Sequence, residues 1–233
     1  MIQALVITGP TASGKSGLAY ELAKQVPLEV ISVDSAQVYR GFDIGSAKPD
    51  SDQQFAVPHH LIDIRDASNP YSAADFREDA IRLIGEILGR GSLPVLVGGT
   101  MLYIKALRDG IAPLPAADQK VRSALTQEAA EHGWTGLHDR LKKIDPRAAS
   151  RINAADTQRL QRALEVYELT GKSMSQLIEA GNQPCPFDLT EIAIVPADRK
   201  LLHSRIEQRF DQMLDQGLID EVTKIRDLPG IDP

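Results

Sequence analysis

Apolar and polar positions alternate along the first half of the chain in a strand-then-helix rhythm. Residues 2–8 form a short apolar run closed by Gly9-Pro10, which predicts a buried strand. Over 15–25 the spacing turns helical, with Leu18, Ala19, Leu22 and Ala23 on one face. Val30–Val33 is a second apolar run, ending at Asp34, and His60–Ile64 reads as a further strand. Ser72, with Asp75 three positions on, opens a helix through Gly89. Leu93–Val97 is a strand stopped by Gly98-Gly99, and a helix follows over 100–108. This alternation implies a parallel sheet with helices on both faces.

The texture changes at Gly110-Ile-Ala-Pro-Leu-Pro115. Residues 118–131, 135–144 and 156–170 read as helices, the last ended by Gly171, and no convincing strand lies among them. A second proline cluster, Gln183-Pro-Cys-Pro186, closes the stretch. A strand over Glu191–Val195 and a long helix over 199–216 then restore the α/β pattern. The expected organisation is a core over 1–112, an all-helical insertion over 113–187, and a return to the core over 188–233.

Composition narrows the class. With 42% hydrophobic and 25% charged residues in a 233-residue chain, a disordered or collagen-like chain is excluded. The lone Cys185 allows neither an internal disulfide nor a four-cysteine zinc site. No apolar run approaches a membrane span, and the N-terminus lacks a signal-peptide pattern, so a cytoplasmic protein is expected. The net charge of −6 speaks against nucleic acid as a partner.

Candidate chemistry begins at Gly9-Pro10-Thr11-Ala12-Ser13-Gly14-Lys15-Ser16, which fits G-x-x-x-x-G-K-[ST] between a strand and a helix. Glycines let successive N–H groups curl inward as an anion nest at a helix N-terminus. Lys15 adds a positive charge for terminal phosphates, and the Ser16 hydroxyl is placed for Mg²⁺. The fold class is therefore α/β, a P-loop NTPase-like parallel sheet flanked by helices, with the all-helical insertion. The strand over 93–97 ends in Gly98-Gly99-Thr100 rather than in the acid that ordinarily helps to hold Mg²⁺ in such folds. Asp34, Ser35 and Gln37 follow the strand over 30–33. They suit the reading of a polar acceptor; Asp34 capping a turn, or meeting Mg²⁺ through water, is the alternative.

The run Asp34-Ser-Ala-Gln-Val-Tyr-Arg-Gly-Phe-Asp-Ile-Gly-Ser-Ala-Lys-Pro49 resembles the signature of the tRNA dimethylallyltransferase family. Further similar stretches are Pro58–Ile64, Tyr71–Phe76, Val97–Tyr103, Arg159–Glu165 and the region around Arg205–Phe210, so the resemblance spans essentially the whole chain. Ser46 stands where threonine is usual and Met101 where glycine is common. The family ordinarily continues well past the last residue here, so a chain shortened at its C-terminus is expected.

The resemblance implies transfer of a dimethylallyl group from dimethylallyl diphosphate to N6 of the adenosine 3′-adjacent to the anticodon of tRNA. Diphosphate is released. It implies Mg²⁺, a diphosphate site over Gly9–Ser16 with Arg209 (Arg205 being the nearby alternative), and catalytic roles for Asp34 and Thr100. Asp34 would accept from the amine and take its proton, and the Thr100 hydroxyl would donate to the departing oxygen. A helix N-cap is the plain alternative for Thr100, and pairing with Glu207, Asp211 or Asp215 for the two arginines.

Contacts to the anticodon stem-loop carry over onto Asp34, Ser35, Ala36, Gln37, Thr100, Arg122, Gln158, Arg159, Leu160, Gln161 and Arg162. A monomer without membrane association is expected. Charge partitioning supports RNA: residues 120–172 hold ten Lys/Arg against seven Asp/Glu, a net +3 that leaves −9 for the remainder. His59 and His60 point apart on a strand and make a poor metal pair, and Trp134 reads as insertion core or as a base-stacking ring. A P-loop kinase of a nucleoside or small metabolite is the runner-up, and a nucleotide-switched binding module a third class.

Overall fold

A computed structural model describes residues 3–112, 114–180 and 183–228. The elements follow in the order β1 (Ala4–Thr8), α1 (Lys15–Ala23), β2 (Leu28–Val33), α2 (Ser51–Ala56), β3 (His59–His60), α3 (Ala73–Gly89), β4 (Leu93–Gly98) and α4 (Met101–Asp109). Then come α5 (Gln119–Ile144), α6 (Pro146–Ala149), α7 (Thr157–Thr170), α8 (Met174–Ala180), β5 (Leu189–Ala193), α9 (Arg199–Asp215) and α10 (Leu218–Arg226). The chain divides into two compact units, 1–108 with 184–233, and 109–183.

The first unit is built on a five-stranded sheet of order β3-β2-β4-β1-β5, every neighbouring pair parallel. All residues of β1 and β2 are buried, which explains why their sequences are mostly apolar rather than alternating, with Glu29 and Ser32 the buried polar exceptions in β2. Leu5, Ile7, Val30, Val95 and Val97 pack with Ala19 of α1 in one core cluster. Leu18, expected on that same helical face, is 41% exposed instead; only Ala19 of α1 is fully inside. Helix α3 packs on β2 and β4. It starts at a reciprocal cap: the Ser72 hydroxyl accepts from Asp75 N, and the Asp75 carboxylate accepts from Ser72 N. Its inner face buries Phe76, Leu83, Ile84 and Ile87, each worth about 1.5–3 kcal/mol of apolar transfer. Phe76 stacks on Tyr103 with ring centroids 4.5 Å apart.

Two expectations need correction. The strand over 60–64 is reduced to His59–His60, because Leu61 and Asp63 adopt left-handed φ of 63° and 55°, which no strand accommodates. The last strand lies over 189–193, two residues earlier than read.

The second unit is helical. α5 is bent at Gly133, whose φ of 72° and ψ of 157° interrupt the helix between the two segments read from the sequence. Leu125, Leu137, Leu141, Leu160 and Leu164 form its core, with Trp134 packed against it. Into this core the unit places a carboxylate, Glu165, with a side chain 0% exposed. It accepts from Arg122 Nε at 2.9 Å, Arg162 Nη1 at 2.6 Å and the backbone N–H of Asp118 at 2.8 Å. Burial pushes its carboxyl up, but the hydrogen bonds from the two arginines and Asp118 outweigh that and hold it below the ordinary glutamate range.

Glu165→Ala should therefore destabilise the helical unit by about 3 kcal/mol, since it strands two arginines on a buried site. A depressed carboxyl stabilises fully above the unfolded-state value and less as pH falls through the folded one. The wild-type urea midpoint should accordingly drop below about pH 4 more steeply than that of the variant. A midpoint change under a quarter of that size, with parallel acid profiles, contradicts this role.

Candidate active site

Strand order brings three loop starts together. Thr8, Gly98 and Val33 stand in register across β1, β4 and β2, so Gly9, Gly99 and Asp34 leave the sheet side by side. Two strand spacings put the first and last about 10 Å apart. Gly98 is needed here: a Cβ would lie 2.1 Å from the Val33 carbonyl oxygen. The close approach of β4 to β2 leaves no room for an acid at this strand end.

The loop after β1 is held by its own backbone. Ala12 and Gly14 adopt left-handed φ of 61° and 94°, curling the chain into α1. Gly14 caps α1 without a side-chain acceptor, so the first-turn N–H groups have no cap and suit an anion. Lys15 Nζ donates to the carbonyls of Gly9 and Pro10 at 2.8 and 2.7 Å, which folds the ammonium over the loop. Burial lowers the Lys15 pKa, the nearby Arg209 lowers it further, and Asp34 opposes both. Two cations facing one space, with Asp34 across the cavity as their counter-charge, is the electrostatic pattern of a polyanion site.

These groups line a cavity of about 590 Å³. Gly9, Pro10, Thr11, Lys15 and Ser16 form one wall and Arg209 of α9 adds to it. Arg209 is half-buried, whereas Arg205 is exposed, and neither makes an ion pair with Glu207, Asp211 or Asp215 among the described residues. Ala12, Ser13 and Gly14 do not line it, and the buried Ser13 hydroxyl has no hydrogen-bond partner among the described residues.

Asp34, Ser35, Gln37 and Thr100 line the same cavity. Asp34 Oδ1 accepts from Ala36 N at 2.8 Å and Gln37 N at 3.3 Å, so the carboxylate does close a turn. Oδ2 makes no hydrogen bond among the described residues and remains able to accept. Gln37 is fixed at both ends of its amide. Its oxygen accepts from Ser32 Oγ at 2.8 Å, and its nitrogen donates to Ser46 O and Ala47 O at 3.2 and 3.3 Å. Thr100 donates its N–H to Val33 O, and its carbonyl accepts from Tyr103 and Ile104. Its hydroxyl has no protein partner among the described residues, so it does not cap α4.

The cavity floor includes two residues that the sequence did not single out, Ser32 and Tyr20, together with His59, which reads from the sequence as structural or pocket-lining. His59 Nδ1 lies 2.6 Å from Val57 O; a carbonyl only accepts, so Nδ1 carries the proton and Nε2 faces the Tyr20 hydroxyl at 3.4 Å. Burial lowers the His59 pKa, which keeps the ring neutral. His60 turns away to Glu29, 2.7 Å off. A serine inside an otherwise apolar buried strand was the one signal available for Ser32.

The expected RNA contacts of the helical unit divide sharply. Leu160 is 0% exposed, with its side chain in the core of the helical unit. Arg122 and Arg162 serve Glu165, and Gln161 Nε2 is spent on Arg122 O and Thr126 Oγ1. Gln158 and Arg159 are exposed, Arg159 with only a 3.3 Å contact to Asp156. The positive balance also shrinks: the unit over 109–183 includes Asp109, Asp118 and Glu179 as well, which brings its ten cations level with ten acids. Lys120, Lys143, Arg151 and Lys172 are exposed and carry no ion pair among the described residues. No helix is long and apolar enough to cross a membrane among the described residues.

The IPP transferase family model matches residues 37–231. The chain belongs to the IPP transferase family. The match begins after the phosphate loop, so the loop itself is an observation independent of it. Among solved structures, this family member resembles the full-length tRNA isopentenylpyrophosphate transferase of Bacillus halodurans at 43% identity and a TM-score of 0.61, over 98% of this chain and 73% of that one. It resembles the tRNA delta(2)-isopentenylpyrophosphate transferase of Staphylococcus epidermidis at 34% identity and a TM-score of 0.60, over 95% and 72%. A eukaryotic dimethylallyltransferase acting on tRNA matches at 28% identity and a TM-score of 0.81, over 97% of this chain and 56% of that one.

The depressed Lys15 gives a pH test. Inorganic diphosphate should bind the intact chain best where Lys15 is protonated, and its affinity should decline at a lower alkaline pH than an ordinary lysine near 10.5 dictates. Lys15→Met should bind weakly with that alkaline limb removed. Calorimetric titration from pH 7 to 10 reads this directly, and an identical pH profile in the variant contradicts it.

Proposed function

We infer that this IPP transferase family member is a tRNA dimethylallyltransferase. It moves the dimethylallyl group from its diphosphate to N6 of the adenosine 3′-adjacent to the anticodon. A single observation supports this most strongly: one cavity faces a phosphate loop with two cations on one side and an oriented carboxylate with a fixed amide on the other. A diphosphate donor suits the first wall, and a base with an N–H edge suits the second.

In the proposed reaction the bond between the allylic carbon and the diphosphate oxygen breaks, and its electron pair leaves with diphosphate. The adenine nitrogen forms the new bond to that carbon and gives up a proton. Asp34 Oδ2 accepts from the amine and takes this proton, while Oδ1 is anchored to the turn and holds the carboxylate in place. An amine in conjugation with adenine is a weak nucleophile, so alignment carries much of the acceleration. Gln37 cannot rotate its amide without losing two carbonyl partners, and its place beside Asp34 suits a wall for the base. Lys15, Arg209 and the loop N–H groups meet the charge that grows on the leaving group, and the Thr100 hydroxyl is available to the departing oxygen.

The donor set fits Mg²⁺. Ser16 offers a cavity-lining hydroxyl, and Mg²⁺ completes its shell with water and phosphate oxygens rather than with an all-protein cage. No cluster of three His, Cys, Asp or Glu suited to a tighter metal lies among the described residues. Held by Ser16 and the diphosphate, the ion would neutralise part of the leaving-group charge. A kinase reading is not favoured, because the strand end that would supply a metal-binding acid is sealed by Gly98 against β2.

Asp34→Ala should lower single-turnover prenyl transfer by about 10²- to 10⁴-fold while dimethylallyl diphosphate still binds. Unchanged transfer removes Asp34 from the chemistry. Arg159→Glu should weaken tRNA binding and reduce the slope of log affinity against log salt by about one. Arg162 is unsuitable for that comparison, since it holds Glu165. An unaltered salt slope places the RNA surface elsewhere.

A further inference from the structure

The turn over 43–48 is gripped from two sides. On its carbonyl side, Ser46 O and Ala47 O receive the Gln37 amide. On its N–H side, three consecutive backbone donors converge on one carboxylate from distant chain. Asp43 N and Ile44 N donate to Glu221 Oε2 at 2.9 and 2.7 Å, and Gly45 N donates to Glu221 Oε1 at 2.9 Å. Glu221 stands in the first turn of α10, and Leu218 of the same helix presses on Gly45, where a Cβ would meet its Cδ1 at 3.1 Å. The turn itself is rigid, closed by Ala47 N to Ile44 O at 2.9 Å and Lys48 N to Asp43 O at 3.0 Å. The buried Lys48 ammonium adds bonds to Tyr39 O and to the carboxylates of Asp43 and Asp63.

We propose that Glu221 is a positioning residue for prenyl transfer, setting the Gln37 amide and through it the Asp34 turn. The coupling is contiguous: carboxylate, three N–H groups, the turn, two carbonyls, the Gln37 amide, then Gln37 N–H to Asp34 Oδ1. α10 follows α9 across Gln216 and Gly217, so the same clamp ties the helix that carries Arg209 to the acceptor wall. A carboxylate is required because three donors need acceptor lone pairs on both oxygens, and a glutamine would turn an N–H₂ toward at least one of them. The proposal rests on the transferase reading above, since it concerns the geometry of that reaction.

The test uses the full chain, unmodified tRNA and saturating dimethylallyl diphosphate in single turnover. Glu221→Gln should lower the transfer rate about tenfold, with the KM for dimethylallyl diphosphate changed less than about threefold. Gln37→Ala should also slow transfer, and the double variant should be no slower than Gln37→Ala alone, because both act through one network. Gly45→Ala, whose Cβ would come within 3.1 Å of Leu218 Cδ1 and 3.4 Å of Glu221 Oε1, keeps the carboxylate but crowds the clamp and should slow transfer about threefold; it decides the matter alone if Glu221→Gln does not fold. Multiplying rate losses in the double variant, or full activity in either single variant, overturns the proposal. Failure of the wild type to prenylate tRNA at all overturns the transferase reading instead.

Discussion

Three adjacent parallel strands, β1, β4 and β2, end in one row, and everything at the candidate site depends on that. Their order places β4 between the strand that feeds the phosphate loop and the strand that ends in Asp34. The middle strand must then finish without a side chain, since Gly98 lies against the Val33 carbonyl. The usual position for a metal-binding acid is thereby closed, and the acid appears one strand over. A shift of one residue in the β2–β4 register would turn Asp34 to the other face of the sheet and separate it from Lys15.

Electrostatics then favour a polyanion that no part of the protein supplies. Burial and the nearby Arg209 disfavour the charge on Lys15, and its ammonium falls back on two loop carbonyls. The opposite wall is the reverse case, with a carboxylate and an amide whose orientations are fixed by backbone groups. Flexible cations on the leaving-group side and a stiff acceptor side match a reaction that depends on alignment of a weak nucleophile. The buried Glu165 cluster in the helical unit is a separate matter of stability, and it engages Arg122 and Arg162 as ion-pair partners.

Much of the fold was legible because its signals are local. Ser72 and Asp75 form the expected reciprocal cap, β1 falls within the apolar run that announced it, and β2 and β4 contain theirs, β2 starting two residues earlier and β4 ending one residue later. The helix break at Gly133 was visible for the same reason. What failed depended on distant partners. Leu61 and Asp63 look strand-like but are held in left-handed turns, the latter tied to Gln37 and Lys48. The +3 count over 120–172 disappears once the unit is bounded by its own packing. Glu221 had no sequence signal at all, because three backbone N–H groups nearly two hundred positions away are what make it distinctive.

The most direct measurement is the mass of the RNA product. Unmodified tRNA is incubated with the protein, Mg²⁺ and dimethylallyl diphosphate, with ATP in place of the prenyl donor as the parallel reaction, and nuclease fragments are weighed. The structure and family predict one dimethylallyl increment on the adenosine 3′-adjacent to the anticodon, only with the prenyl donor. An unmodified tRNA in that reaction, with ATP consumed in the presence of a small hydroxyl acceptor, would contradict the account.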